Sequence, residues 1–523
     1  MSSVKPRIQR SHSISGVSIA SSAISTHTQD DLEETTPLMT HQEIRAPGGF
    51  RRSFILHRYS IDHQDVSNPD IESLRNRLPR FKTNKQQFDE YLFQLYGHFA
   101  GQDLSESDNE EEQELEPTPP SSQHNKSSTT KAILLLLKSF IGTGVLFLPK
   151  AFSNGGYVFS LVSLIICSLI SYYCFILLLD TKSKLNVNGY GDLGLTLYGS
   201  ILQKSILLSI VLSQLGFAAA YNVFTATNLH SLSTSLITNP PDFITIPFCI
   251  LLQTFLFIPL SFTRNITKLS STALIADLFI FIGLIYLYYY PIKIIATKGP
   301  DWQTMTPFNT KDWSLFIGTA IFTYEGIGLL IPIQESMKSP HHFKKSLILV
   351  LVIITLVFIT IGLLGYSAFG SNVDTVLLQN FPQDNPCTSL VQLLYSLAIL
   401  LSTPLQLFPA IKILENWIFS KDASGKYNHS IKWAKNYFRS TIVILTSLIS
   451  YLGANDLNKF VALVGSFACI PLIYVYPPLL HYKATQLDNT FTWKTLLADF
   501  SLLTFGIITM IYTSLQTIIL WGE

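Results

Sequence analysis

Two membrane-length apolar segments of this 523-residue chain are interrupted near their centres by residues that suit a polar ligand better than hydrocarbon. The first reads Lys138-Ser-Phe-Ile-Gly142-Thr143-Gly144-Val-Leu-Phe-Leu-Pro149, the second Phe322-Thr323-Tyr324-Glu325-Gly326-Ile-Gly328. A small zwitterion, such as a free amino acid, needs donors for its carboxylate and acceptors for its ammonium, since either charge buried unpaired is costly. A helix broken at mid-membrane supplies both without charged side chains. The half that starts near Val145 presents free N–H groups and a positive dipole end, and the half that ends near Ile141 presents free carbonyls. Gly142 and Gly144 permit irregular backbone and a close ligand, and Thr143 adds a hydroxyl. In the second segment Thr323 and Gly326 flank the corresponding break, and Tyr324 can gate or stack. Glycines of this kind also serve close helix–helix contact. Two breaks in matching segments favour the binding reading, because non-helical backbone survives at that depth only in protein or beside a cavity.

Ionisable residues inside apolar segments are functional candidates by default. Three stand out: Lys138, Asp277 and Glu325. Glu325, at the second break, is the first candidate for a proton carrier, its alternative being a permanent partner of Lys138 or a helix terminus. Asp277, nearer a segment end, reads as a structural pair or a gate. Tyr221, Asn222 and Thr225 form a weaker polar cluster, lining the pocket or bonding between helices.

The elements that must hold these residues follow from composition. The chain is 48% hydrophobic and 14% charged, and the charged share falls far below the roughly 25% of soluble domains. Eleven apolar segments, each near the roughly 20 residues of a membrane crossing, lie at 132–150, 157–179, 202–228, 244–262, 271–292, 313–332, 346–369, 389–411, 440–453, 459–480 and 496–520. The ninth is short and extends naturally back towards Trp433. With the N-terminus cytosolic, Lys and Arg favour the cytosolic loops by about three to one, which places the C-terminus on the opposite side. Eleven spans divide as five, five and one. The breaks in spans 1 and 6 then correspond if the second five repeat the first with inverted topology.

Residues 1–129 form a polar tail expected to be disordered, ahead of a transporter-like domain at 130–523. The tail shows no apolar signal-peptide region, so span 1 would direct insertion. Phe88, Tyr91, Leu92, Leu95, Tyr96 and Phe99 predict a short amphipathic helix near 88–99, and an acidic run follows from Asp103 to Glu116. Glu34, Leu38 and Met39 fit an acidic dileucine-type sorting signal that an adaptor complex would read. A net charge of +1 gives no reason to expect a nucleic-acid partner. The five scattered cysteines suggest neither a disulfide nor a metal site, no cofactor motif is visible, and no nucleophile–base set suggests an enzyme.

At this point the motifs resemble a known family. Ile-Gly142-Thr-Gly144-Val-Leu-Phe-Leu-Pro149, Phe-Thr-Tyr-Glu325-Gly326-Ile-Gly328, Ala-Leu-Ile-Ala-Asp277, Gln214-Leu-Gly-Phe-Ala-Ala-Ala-Tyr-Asn and Thr-Pro404-Leu-Gln-Leu-Phe-Pro409 are similar to the amino acid/auxin permease family. The likeness is strongest to its fungal vacuolar exporter branch, which is related to animal proton-coupled amino acid transporters. It covers about residues 88–520 and includes Tyr96-Gly-His-Phe-Ala-Gly101 in the tail. The resemblance implies an all-α polytopic protein with the eleven-helix, LeuT-like inverted-repeat fold of the APC superfamily, in a vacuolar membrane. It implies proton-driven movement of mainly neutral amino acids from lumen to cytosol, with substrate held by Gly142, Thr143, Gly144 and the segment around Thr323. One departure matters: Leu135 stands where the animal relatives place a proton-handling His, which leaves Glu325 or another route. A different reading of the same pocket is an amino-acid-sensing receptor whose tail signals to a soluble complex or plugs the cytosolic vestibule.

Overall fold

In hydrocarbon each backbone N–H and C=O must find a partner within the protein, so long apolar segments settle as helices. The computed structural model describes residues 98–103, 128–187, 189–236, 241–263, 266–419, 428–488 and 492–522. The sorting signal at Glu34, Leu38 and Met39, the tail up to residue 97 and most of the acidic run lie outside the described residues. Of the helix expected near 88–99, only the last two residues are described. His98–Phe99 is a strand (β1) paired antiparallel with Gln102–Asp103 (β2).

Span 1 is two helices, Thr129–Phe140 and Gly144–Gly155, bent by 54° at the break. Ser128 caps the first, its Oγ accepting from the Lys131 N–H at 3.4 Å. Span 2 is Tyr157–Leu185, span 3 Ser200–Leu236, span 4 Ile246–Ser261 and span 5 Ile266–Lys298. Span 6 is again two helices, Trp313–Thr323 and Ile327–Ser336. Span 7 is Phe343–Phe369, span 8 Pro386–Ile418, span 9 His429–Gly453, and span 11 Trp493–Gly522. Span 10 begins at Leu457, passes through two π-helical turns at Gly465–Cys469 and Pro471–Val475, and ends at Leu487. A short helix, Tyr190–Tyr198, lies between spans 2 and 3 and carried no clear signal in the sequence.

By length and hydropathy alone, the described residues contain eight crossing helices, or nine with the bent pair of span 1 taken as one. Two further observations bear on the expected count of eleven. His429–Leu487 is a helical run of 59 residues, about 90 Å if straight, three times the roughly 30 Å of hydrocarbon. It folds back instead. The Ser450 hydroxyl bonds the Ala219 carbonyl at 3.2 Å, while Val464 packs on Gly216, one turn away in span 3. In a single rod residues 450 and 464 would stand about 21 Å apart. Ile246–Ser261, at 16 residues, is the remaining short apolar helix.

Packing shows the internal repeat. Span 1 packs on span 6, span 2 on span 7, span 3 on span 8 and span 4 on span 9, so each rests on its counterpart in the other half. The second half of span 1 meets the first half of span 6, and the first half of span 1 meets the second half of span 6. Such antiparallel pairing of equivalents is what an inverted repeat about an axis in the membrane plane produces. Spans 3 and 6 occupy the centre, each 83% buried over its most apolar stretch, whereas span 11 is peripheral at 11%.

Small residues allow the central helices to touch. A Cβ on Gly465 of span 10 would collide with the carbonyl of Gly318 in span 6. Gly465→Leu should therefore force these spans apart and destabilise the purified protein by about 1–3 kcal/mol. A lowered thermal midpoint in detergent, set beside an unchanged midpoint for Gly522→Ala, where a Cβ meets open space, is the expected result.

Candidate substrate site

The two breaks face each other. In span 1 the helix stops at Phe140, and Ile141 takes extended dihedrals (φ −83°, ψ 92°) before the second helix starts at Gly144. The Leu146 N–H bonds the Thr143 carbonyl at 3.0 Å, while the N–H groups of Gly144 and Val145 and the carbonyls of Ser139 and Ile141 have no backbone partner among the described residues. In span 6 the Tyr324 N–H reaches the Ala320 and Ile321 carbonyls, both at 3.2 Å, and closes the first helix. The carbonyls of Phe322 and Thr323 and the N–H groups of Glu325 and Gly326 are left without backbone partners among the described residues. Donors and acceptors of both polarities thus converge without a fixed charge.

They surround a cavity of about 90 Å³, lined from span 1 by Ser139, Phe140, Thr143 and Gly144, and from span 6 by Phe322, Thr323, Glu325, Gly326, Gly328 and Leu329. Span 3 contributes Gln214, Phe217 and Tyr221, span 8 contributes Gln406, and β1 contributes Phe99. Two side-chain oxygens in this wall, Thr143 Oγ1 and Glu325 Oε1, are shut from solvent, and Glu325 Oε1 has no hydrogen-bond partner among the described residues. A second cavity, of about 130 Å³, shares Phe99, Ser139, Gln214, Tyr221, Leu329 and Gln406 with the first and adds Lys138 and Asp277. Gly144 fits because the Thr323 methyl lies 2.8 Å from where its Cβ would be. The Phe217 and Phe322 rings, 4.4 Å apart, form one wall, and Phe147 packs on Phe322 behind it.

With this geometry in view, comparison with known proteins is decisive. A family model described as transmembrane amino acid transporter protein matches residues 125–519. The chain belongs to that family. It is 56% identical to vacuolar amino acid transporter 3 of Saccharomyces cerevisiae, over 98% of this chain and 76% of that protein. It is 46% identical to vacuolar amino acid transporter 3 of Schizosaccharomyces pombe, over 92% of this chain and 74% of that protein. Vacuolar amino acid transporter 4 of Saccharomyces cerevisiae is 41% identical, over 93% of this chain and 76% of that protein.

The transporter brings together most of the residues singled out from the sequence. Thr143, Gly144, Thr323, Glu325, Gly326 and Tyr221 all line the first cavity. Gly142 lies at its edge, with the Tyr221 hydroxyl 3.6 Å from where a Cβ would stand. Thr323 presents its methyl, since its hydroxyl is used within its own helix on the Ala320 carbonyl at 2.7 Å. Lys138 and Asp277 meet as an ion pair at 2.6 Å, so Lys138 is not the fixed partner of Glu325.

Three expectations differ from the geometry. Tyr324 turns away from both cavities; it is fully buried and its hydroxyl bonds Thr355 of span 7 at 2.8 Å, with the Leu164 carbonyl of span 2 at 3.3 Å. It braces spans instead of gating. Asn222 lines neither cavity; its backbone carbonyl accepts from Gln253 Nε2 of span 4 at 3.2 Å. Thr225 stands one turn, about 6 Å, past Tyr221 along span 3 and lines neither cavity.

Gln214 and Gln406 were not marked as site residues. Gln406 Nε2 donates to Gln214 Oε1 at 2.6 Å, joining spans 3 and 8 across the cavity wall. The signal was an amide placed mid-span in both of two corresponding helices, each inside a motif quoted for the family likeness. Gln406→Leu would leave the Gln214 carbonyl oxygen unmatched, which costs about 1–3 kcal/mol, whereas replacing both by Leu should cost less than the sum of the single changes. Substrate affinity and thermal midpoint measured across this double-mutant cycle would show the coupling; strict additivity would mean the bond has no energetic role.

Proposed function

We propose that this transporter couples the movement of small, mainly neutral amino acids to protons, carrying them from the acidic lumen of the vacuole to the cytosol, with its N-terminus cytosolic and its C-terminus luminal. The vacuolar assignment is supported by the names of its relatives in two yeasts. The orientation is supported by the excess of Lys and Arg on the cytosolic loops. In this reading the N–H groups of Gly144 and Val145 hold the substrate carboxylate, and the carbonyls of Ile141, Phe322 and Thr323 hold its ammonium.

The observation that carries the proton reading is Glu325. Its Oε1 faces the cavity without a donor, while the nearest intramembrane cation considered for it, Lys138, pairs with Asp277. A carboxylate so placed can take up a proton on the acidic side and give it back on the other as the cavity exchanges solvent. With Leu135 in place of a histidine, this acid is the group within the substrate cavity suited to the task. The preference for neutral substrates follows from the absence of a second carboxylate among the residues lining the first cavity, where a basic side chain would need one.

Proteoliposomes with an acidic interior should release neutral amino acids faster than vesicles without a pH gradient. Equal rates would remove the coupling. Glu325→Gln should bring gradient-driven release down to the level of protein-free vesicles while leaving the elution profile of the purified protein unchanged. Full gradient-driven transport by that variant would eliminate Glu325 as the carrier.

A further inference from the structure

The hairpin that carries Phe99 comes from outside the helical domain, yet it forms part of the wall of both cavities. Its turn is built for tightness. Ala100 and Gly101, the two residues between the strands, both have positive φ (51° and 74°), the pattern of a two-residue type I′ hairpin. Glycine adopts that conformation freely, while alanine does so at a penalty, so Ala100 is held there by its surroundings. Those surroundings are the transporter core. Ala100 is fully buried, and its N–H donates to the Gly328 carbonyl at 2.6 Å. Its own carbonyl accepts from the Tyr190 N–H at 2.8 Å. Tyr190 is in turn anchored through its hydroxyl to the Leu472 carbonyl of span 10 at 2.7 Å. Gly328 has no space for a side chain, because the Phe99 ring occupies the position its Cβ would take.

We infer that the His98–Asp103 hairpin is a plug: Phe99 stands between the substrate cavity and the second, Lys138–Asp277 cavity, and amino acid passes to the cytosol only when the hairpin withdraws. The inference rests on the reading of the first cavity as the substrate site. Four features support a reversible plug over a permanent part of the wall. The seat, among the described contacts, is made by backbone groups of the second half of span 6 and of the helix Tyr190–Tyr198. Of the hairpin's described side chains, those inserted are one aromatic ring and one methyl group. The segment is joined to span 1 through the polar stretch 104–127, long enough to let it leave. Finally, Phe99 contacts the half of span 6 that follows the break, so its withdrawal removes contacts from one of the two half-helices that hold substrate. The sequence carries this element as Phe-Ala-Gly-Gln, an aromatic residue followed directly by the turn that presents it.

Two substitutions in the full-length protein test the plug from different sides. Phe99→Ala removes the ring, and Gly101→Val disfavours the turn while keeping the ring. Each should raise the initial rate of amino acid release from proteoliposomes, by about tenfold if the hairpin is seated nine-tenths of the time. A second readout does not depend on transport. Ser139→Cys, placed in a Cys387→Ser background because the other four cysteines are buried, reports access to the shared cavity wall. A charged, membrane-impermeant methanethiosulfonate added to the cytosolic face should label Cys at that position slowly behind an intact hairpin and faster in both variants. Unchanged labelling overturns the plug. Faster labelling with measurable but unchanged flux overturns it as a gate, and lower flux makes Phe99 a required wall of the path. If neither wild type nor variants move amino acids while the labelling difference holds, the transport reading fails and the plug stands.

Discussion

The structure depends on one constraint: backbone that leaves a helix inside hydrocarbon must be answered by protein or by cargo. Two such stretches, Ile141–Thr143 and Tyr324–Gly326, are tolerated because each is enclosed by the half-helices of the other and by spans 3 and 8. The inverted repeat provides this enclosure economically. Equivalent spans pack on each other, so the two breaks lie near the point where the halves cross, and one polar cavity serves both. The small residues follow from the same requirement, since Gly144 against Thr323 and Gly318 against Gly465 let the broken helices approach their neighbours closely enough to exclude lipid.

Hydrogen bonds divide the helices into two internally braced groups. Tyr324, Thr355 and Ser168 form a chain linking spans 6, 7 and 2, with bonds of 2.8 and 2.9 Å. At the helix ends Lys182–Glu335 and Lys344–Asp180 join the same three spans by ion pairs of 2.7 and 2.6 Å. On the other side, Thr254 bonds Ser447 at 2.7 Å and Ser450 bonds the Ala219 carbonyl at 3.2 Å, tying span 9 to spans 4 and 3. A carrier that alternates access by tilting one group against the other keeps these bonds and changes chiefly the contacts around the cavity. Tyr324 belongs to the first brace, and at the break its hydroxyl meets two oxygen partners in neighbouring spans, Thr355 Oγ1 and the Leu164 carbonyl.

Much of this was legible in the residues. Glycine pairs and a buried acid inside apolar runs mark the two breaks, because few other reasons place them there. Most span starts hold within a few residues, while spans 2, 3, 5, 8 and 10 run six to eight residues past their apolar ends, and the ninth begins early, at His429, because a polar, amphipathic first half hides it from an apolar window. What the chain does not display is azimuth and depth. Asn222 differs from Tyr221 by one step of about 100° around span 3, enough to remove it from the cavity lining. Thr225 has the right azimuth at the wrong height. Gln214 and Gln406 acquire meaning only when spans 3 and 8 are known to touch, a long-range fact that local periodicity does not contain. The β1–β2 hairpin was hidden by its neighbours, whose spacing suggests a helix running through Phe99; the positive-φ turn at Ala100 and Gly101 sets the backbone instead.

The amide pair Gln214–Gln406 joins spans 3 and 8, outside the brace formed by spans 2, 6 and 7. It therefore need not be made or broken as the entrance changes sides. Under the proposed function, cargo arriving from either compartment would be measured against the same stationary yardstick, while the half-helices proposed to hold its charged ends would do the moving. Discrimination among side chains would then be identical for loading and unloading, and only the driving gradients would tell the carrier which way to run.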